Sequence, residues 1–201
     1  MNNFIDFYFD FSSPYGYFAS TRIEELAAKY GRSVNWHPLL LGVVFKTTGG
    51  MPLTQSPMKG KYAYRDFERT ARFHGIPYQR PDTFPLPTQF AARAMLSIQQ
   101  VHGEAKAVEF VKAVYRAYFY EGLNISVTES VASVAAGLGL DAATLTEAAN
   151  SEPVKERMRD EMDAAMARGV FGSPFVIVDD ESFWGFDRFE QIEAYLKNGK
   201  I

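Results

Sequence analysis

The chain contains no cysteine. Disulfides, thiolate metal sites, a cysteine nucleophile and Cys-x-x-Cys redox chemistry are therefore excluded, and any thiol chemistry must use a thiol brought from outside. Excess charge is also missing: a formal net charge of -3 over 201 residues gives no electrostatic basis for holding nucleic acid or an anionic membrane surface. No apolar run approaches the roughly 18 residues of a membrane helix. The N-terminus has no basic region leading into an apolar stretch and a small-residue cleavage site, so we expect a soluble cytoplasmic protein with no membrane partner. The three histidines, His37, His74 and His102, show no ligand spacing, so no metal site is expected.

What is present is apolar and aromatic: 47% hydrophobic and 15% aromatic residues, enough to build a sizeable core. Residues 4–11, Phe-Ile-Asp-Phe-Tyr-Phe-Asp-Phe, are dense in side chains that suit a pleated buried surface, which predicts a strand. Ser12-Ser13-Pro14 then supplies a helix start, because a serine hydroxyl caps orphan backbone N–H groups and proline at the first helical position sacrifices no hydrogen bond. A hydroxyl is thus expected at a helix N-terminus beside a strand end. Such a place either caps the helix and nothing more or holds an anion such as a thiolate or carboxylate.

The apolar spacing of Tyr17, Phe18, Ile23, Leu26, Ala27 and Tyr30 predicts one helix ending at Gly31, followed by a strand over 33–41. Strand, helix, strand implies a right-handed parallel crossover. Residues 42–57 read as a long loop, and Ser56-Pro57 opens a helix to about Phe73. After a proline-rich stretch, helix patterns cover 89–101, 104–120, 127–136, 142–149 and 153–167. A capping box at Ser126-x-x-Glu129 and a cap at Asp141 mark two of the starts. Strand character returns at 174–178 and 182–184 around Asp179-Asp180, which predicts an antiparallel hairpin. Asp187-x-x-Glu190 then starts a last helix. The expected organisation is α/β, with residues 1–60 and 169–201 as core (βαβ plus ββα) and 61–168 as an all-helical insertion.

Four motifs occur in order: Phe9-Asp10-Phe11-Ser12-Ser13-Pro14-Tyr15, Pro57-x-Lys59-Gly60-x-Tyr62, Gly169-Val170-Phe171-Gly172-Ser173-Pro174-Phe175, and Trp184-Gly185-Phe186-Asp187-Arg188. Together they resemble the 2-hydroxychromene-2-carboxylate isomerase family, which is grouped with kappa-class glutathione transferases among DsbA-like proteins. The resemblance implies a thioredoxin-like fold with a large all-helical insertion, glutathione as the borrowed thiol, an aromatic small-molecule substrate and a homodimer. It also implies site roles: Ser13 hydrogen-bonded to the glutathione sulfur, Ser173 and a cis Pro174 against the cysteinyl backbone, Lys59 as a cationic contact and Asp187 as acceptor for the γ-glutamyl ammonium. Without the resemblance, Lys59 reads as a solvated lysine and Asp187 as a helix cap.

Two positions depart from the family pattern: Gly50 stands where related enzymes often carry Asn, and Phe186 where a small polar residue is common. Tyr15, Trp184 and Phe186 are substrate-pocket candidates, with core packing as the other reading for Trp184; Trp36 reads as core. Asp66 either pairs with Arg69 on the helix surface or faces the glutathione channel, and Tyr118 or Tyr120 is a further candidate to meet an aromatic ring. The implied activity is isomerisation of a bicyclic aromatic carboxylate. A kappa-like transferase or peroxidase and a non-catalytic glutathione- or peptide-binding protein are the alternatives.

Overall fold

The computed structural model describes residues 3–201; Met1 and Asn2 of the expected core lie outside the described residues. Strand β1 (Phe4–Phe9) is central in a four-stranded sheet of order β2-β1-β3-β4. It runs parallel to β2 (Ser33–Pro38), pairing Phe7 with Trp36, and antiparallel to β3 (Phe175–Val178), which pairs in turn with β4 (Glu181–Trp184). The expected crossover and hairpin are both present. Strand alternation sorts β1 into two faces. Ile5, Phe7 and Phe9 are fully buried, with Phe7 and Phe9 edge-on to Trp36 at 4.8 and 5.6 Å.

The opposite face carries Asp6 and Tyr8, and the neighbouring strand adds His37, stacked on Tyr8 at 4.7 Å. His37 bridges Asp6 and Glu161 at 3.3 and 3.4 Å, while Asp6 also accepts from Asn35 and Arg168. Hydrogen bonding from His37, with help from Asn35 and Arg168, holds the Asp6 carboxyl far below its ordinary range against the opposing effect of burial. Burial pushes the His37 imidazole down, but its bonds to two carboxylates outweigh that and lift it to about 9.

A histidine raised from about 6.5 stabilises the fold fully below that value and loses the contribution as pH rises through the folded one. A depressed carboxylate does the reverse, losing its contribution as pH falls below the ordinary carboxylate range. The melting temperature is therefore expected to fall between about pH 6.5 and 9. His37→Gln should flatten that alkaline limb, as a pH series of thermal melts will read.

Several elements differ from expectation. The first helix is two, α1 (Pro14–Ser20) and α2 (Ile23–Lys29). Ser20 and Thr21 donate their hydroxyls to the carbonyls of Tyr17 and Phe18, which ends the first segment and turns the chain. The supposed loop at 42–57 contains helix α3 (Leu41–Thr48), closed by Gly49 at φ 71°, and a 3-10 turn at Leu53–Gln55. Strand β2 correspondingly ends at Pro38.

Helix α4 (Pro57–His74) runs unbroken through residue 60. Beyond it come α5 (Gln89–His102), α6 (Glu104–Phe119), α7 (Thr128–Gly137), α8 (Ala142–Asn150) and α9 (Glu152–Ala167), packed through small and apolar faces such as Ala91, Ala94, Met95 and Ile98. Asp141 caps α8 through the Thr144 N–H at 2.7 Å. The capping box at 126–129 does not form: both the N–H and the hydroxyl of Ser126 bond to Asn124 Oδ1, and Val127 precedes the helix instead. A neighbouring amide oxygen outcompetes the helix for that serine.

The last helix, α10 (Phe189–Asn198), starts after a 3-10 turn, Phe186–Arg188, that contains Asp187. Asp187 is therefore not a cap for α10; its carboxylate is 72% exposed and pairs with Arg188.

Candidate functional site

The end of β1, the start of α1 and the turn into β3 meet at one point. The Ser13 hydroxyl accepts from the Gly16 N–H at 3.0 Å, which makes it the cap of α1, and donates to the Ser173 carbonyl at 2.9 Å. The Ser173–Pro174 peptide is cis. Two residues 160 apart in sequence are thus joined through one hydroxyl. Ser13 is 5% exposed, so the hydroxyl is shielded on the protein side and aimed along the turn.

Close approach here depends on Gly16. A Cβ at that position would lie 2.7 Å from the Tyr115 hydroxyl and 2.9 Å from the Ser173 hydroxyl. Tyr115 is fully buried and donates to the Asp10 carbonyl at 2.9 Å, and the Asp10 N–H donates to the Ser173 hydroxyl at 2.9 Å. Burial holds the Tyr115 phenol well above its usual pKa, so it stays a neutral donor.

Next to this junction, the Tyr15 hydroxyl on α1 donates to Asp66 on α4, and the other Asp66 oxygen accepts from Arg69. Burial, reinforced by Asp66, pushes the Tyr15 phenol up. Burial acts upward on Asp66 too, but the bonds from Tyr15 and Arg69 outweigh it and keep the carboxyl low. Asp66 thus makes the expected pair with Arg69 and also fastens α4 to α1. Lys59 is exposed in the first turn of α4, seven residues before Asp66 and therefore about 10 Å along the same helix face.

The Gly185 N–H donates to the Pro174 carbonyl at 3.0 Å, which ties the turn two residues before Asp187 to the junction. Ser13, Ser173, Pro174 and Tyr15 are brought together, with Asp187 adjoining. Lys59 touches none of them.

The other pocket candidates divide. Trp184 is 56% exposed on the outer strand, which corrects the core reading; only Phe183 of β4 points inward. Its indole lies against Gly172, where a side chain would collide with it, and meets Phe171 at 5.0 Å. Phe186 is 6% exposed and packs against His74, Phe189 and Phe18, so it belongs to the core and not to a pocket wall. Tyr118 is buried with its hydroxyl on the Thr83 carbonyl, while Tyr120 is 42% exposed beneath Arg116. Trp36 is core, 2% exposed, as expected. Among the described residues no group of three or more His, Asp or Glu is placed to hold a metal ion, and no helix is long and apolar enough to cross a membrane.

Sequence reasoning passed over Gly16, Tyr115 and the hydroxyl of Ser173. The one available signal was a glycine in the first turn of a helix, where its low propensity needs a reason.

Comparison with known proteins bears on the fold and the family. The family model for the DSBA-like thioredoxin domain matches residues 4–197. The chain is 31% identical over 195 residues to a 2-hydroxychromene-2-carboxylate isomerase of Pseudomonas putida, covering 96% of this chain and 93% of that protein. It is 26% identical over 205 residues to glutathione S-transferase kappa 2 of Caenorhabditis elegans, covering 96% and 91%. A solved structure of a 2-hydroxychromene-2-carboxylate isomerase superposes with a TM-score of 0.86 at 30% identity, covering 96% of this chain and 94% of the other. With a thioredoxin-like core and helical insertion that match over nearly their whole length, the chain belongs to the 2-hydroxychromene-2-carboxylate isomerase family of DSBA-like thioredoxin-domain proteins.

Proposed function

We propose that the protein is a glutathione-dependent isomerase of 2-hydroxychromene-2-carboxylate or a similar bicyclic aromatic carboxylate. The observation that carries this reading is the Ser13 hydroxyl held between the first turn of α1 and the carbonyl before the cis Pro174. A chain without cysteine has to bring its thiol in, and relatives named as glutathione transferases support glutathione as that thiol.

In this reading the glutathione sulfur sits at the Ser13 hydroxyl, whose proton turns from the Ser173 carbonyl to the sulfur. A hydrogen bond to a charged acceptor contributes about 1.5–3 kcal/mol, and each pKa unit corresponds to about 1.4 kcal/mol. One to two units are enough to convert a thiol titrating near 8.5 into thiolate at neutral pH. Helix α1 has only seven residues, so the hydroxyl and not a long helix dipole supplies most of the shift.

The hemiketal C–O bond of the chromene ring first opens, the hydroxyl proton passing to the phenol oxygen. The thiolate then adds to an unsaturated carbon conjugated with the ketone so formed. A carbon–sulfur bond forms and the π pair moves onto the carbonyl oxygen. The former double bond rotates as a single bond, the pair returns, and the carbon–sulfur bond breaks to release glutathione unchanged. Lys59, Ser173, Pro174 and Asp187 hold the tripeptide, and Tyr15 and Trp184 border the substrate. The reading includes a cytoplasmic homodimer, the assembly that the family resemblance implies.

The test is spectrophotometric conversion of 2-hydroxychromene-2-carboxylate with and without glutathione. Isomerisation that requires glutathione and does not consume it is expected. Consumption would instead indicate a conjugating or peroxidase activity, and binding without turnover a non-catalytic protein.

A further inference from the structure

Asp10 is the most heavily bonded residue at the site, and the thiol chemistry makes no direct use of it. It is 2% exposed. Its carboxyl Oδ1 accepts from the Ser12 N–H at 2.7 Å, the Ser12 hydroxyl at 2.8 Å and the Thr88 hydroxyl at 3.2 Å, and Oδ2 accepts from the Leu41 N–H at 2.6 Å. Its backbone carbonyl accepts from the Ser13 N–H and the Tyr115 hydroxyl, each at 2.9 Å, and its N–H donates to the Ser173 hydroxyl.

Two distant helix starts lack a side-chain cap of their own: Leu40 before α3 has none, and Thr88 before α5 makes no capping bond to its helix. Both converge on this carboxyl. The helices of the chain's middle are thereby drawn to the end of β1, where the Ser12–Ser13 turn begins.

We infer that Asp10 is the positioning residue for Ser13, fixing the hydroxyl that meets the thiol. Every side-chain partner of Asp10 can donate, and the two amides can do nothing else, so an acceptor-only group suits the place. An asparagine of the same shape would turn an NH₂ towards one of those amides or towards the Ser12 hydroxyl and open the turn. Burial pushes the Asp10 carboxyl up while its four donors act downward.

This inference rests on the glutathione reading of the Ser13 site, so its test has one arm that needs glutathione and one that does not. In the first, the thiol pKa of bound glutathione is read from ultraviolet thiolate absorbance against pH. In the second, amide hydrogen exchange is measured by NMR at Gly16, whose N–H is held by the Ser13 hydroxyl. For Asp10→Asn we expect about tenfold less thiolate at a given pH below the pKa and at least tenfold faster exchange at Gly16. A merely structural role would lower the melting temperature and leave the thiol pKa unchanged; that result overturns the inference.

Should Asp10→Asn not fold, Thr88→Val and Ser12→Ala each remove one hydroxyl donor. Two- to fivefold less thiolate in both supports the inference, and wild-type values in both overturn it. If the wild-type protein binds no glutathione, the functional reading fails by itself. Gly16 exchange in Asp10→Asn or, failing its folding, in the two hydroxyl variants then decides the positioning role, with unchanged protection counting against it.

Discussion

Ser13→Ala is expected to raise the pKa of bound glutathione by one to two units and to lower turnover at neutral pH roughly ten- to hundredfold. The magnitude follows from losing a hydrogen bond to a charged acceptor, about 1.5–3 kcal/mol, at about 1.4 kcal/mol per unit. The same substitution leaves the Gly16 N–H and the Ser173 carbonyl without their partner and removes the cap of α1. Stability should therefore fall by about 1–2 kcal/mol as well. The two effects separate in the measurement: a thermal melt reads the cap, and the ultraviolet titration of bound thiol reads the hydroxyl. An unchanged thiol pKa together with unchanged turnover would remove Ser13 from the chemistry and leave it only the cap.

Gly16→Ala is expected to destabilise the protein although alanine is the better helix former. Propensity favours alanine by about 0.5–1 kcal/mol. Against this, the new methyl would meet the Tyr115 and Ser173 hydroxyls at 2.7 and 2.9 Å, with the Ser13 Cβ at 3.1 Å. Neither hydroxyl can withdraw freely, because one is bonded to the Asp10 carbonyl and the other to the Asp10 N–H. Overpacking costs about 1–3 kcal/mol, and each buried polar group left unpaired adds about 1–3. The net loss is about 2 kcal/mol or more, a fall of at least roughly 4–8 °C in melting temperature for a chain of this size. Because the shift moves Ser173 relative to Ser13, glutathione affinity measured by calorimetry should fall with it. A melting temperature equal to or above wild type would mean that the turn yields without cost.

The crossover and the hairpin were legible because they rest on local chemistry. The aromatic density of β1, the Asp179-Asp180 turn and the Ser-Pro start each act within a few residues, and they predicted these two units and the place of Ser13. The family likeness added Ser173 and Pro174, which meet Ser13 in the fold. Helix α3 was not legible: its first N–H is taken by a carboxylate 31 residues earlier, so the start carries no capping residue of its own. The helix break at Thr21 was hidden because apolar spacing continues across it while serine and threonine hydroxyls turn the backbone.

The surroundings of Phe186, a pocket candidate that is core, and of Trp184, whose core reading fails, were hidden for a similar reason. A strand's alternation says which residues share a face, but only the sheet order makes β4 an outer strand with Trp184 exposed, and only the 3-10 turn after Gly185 brings Phe186 against His74 and Phe189. By itself the sequence determined that this chain has no thiol of its own, that it builds an α/β core around an aromatic strand, and that a serine caps the helix following that strand. Tertiary structure alone decided what the serine faces: the hydroxyl, the cis turn, the Gly16 gap and the Asp10 carboxyl come from segments more than 160 residues apart, and hydrogen bonds over such separations leave no periodic trace along the chain.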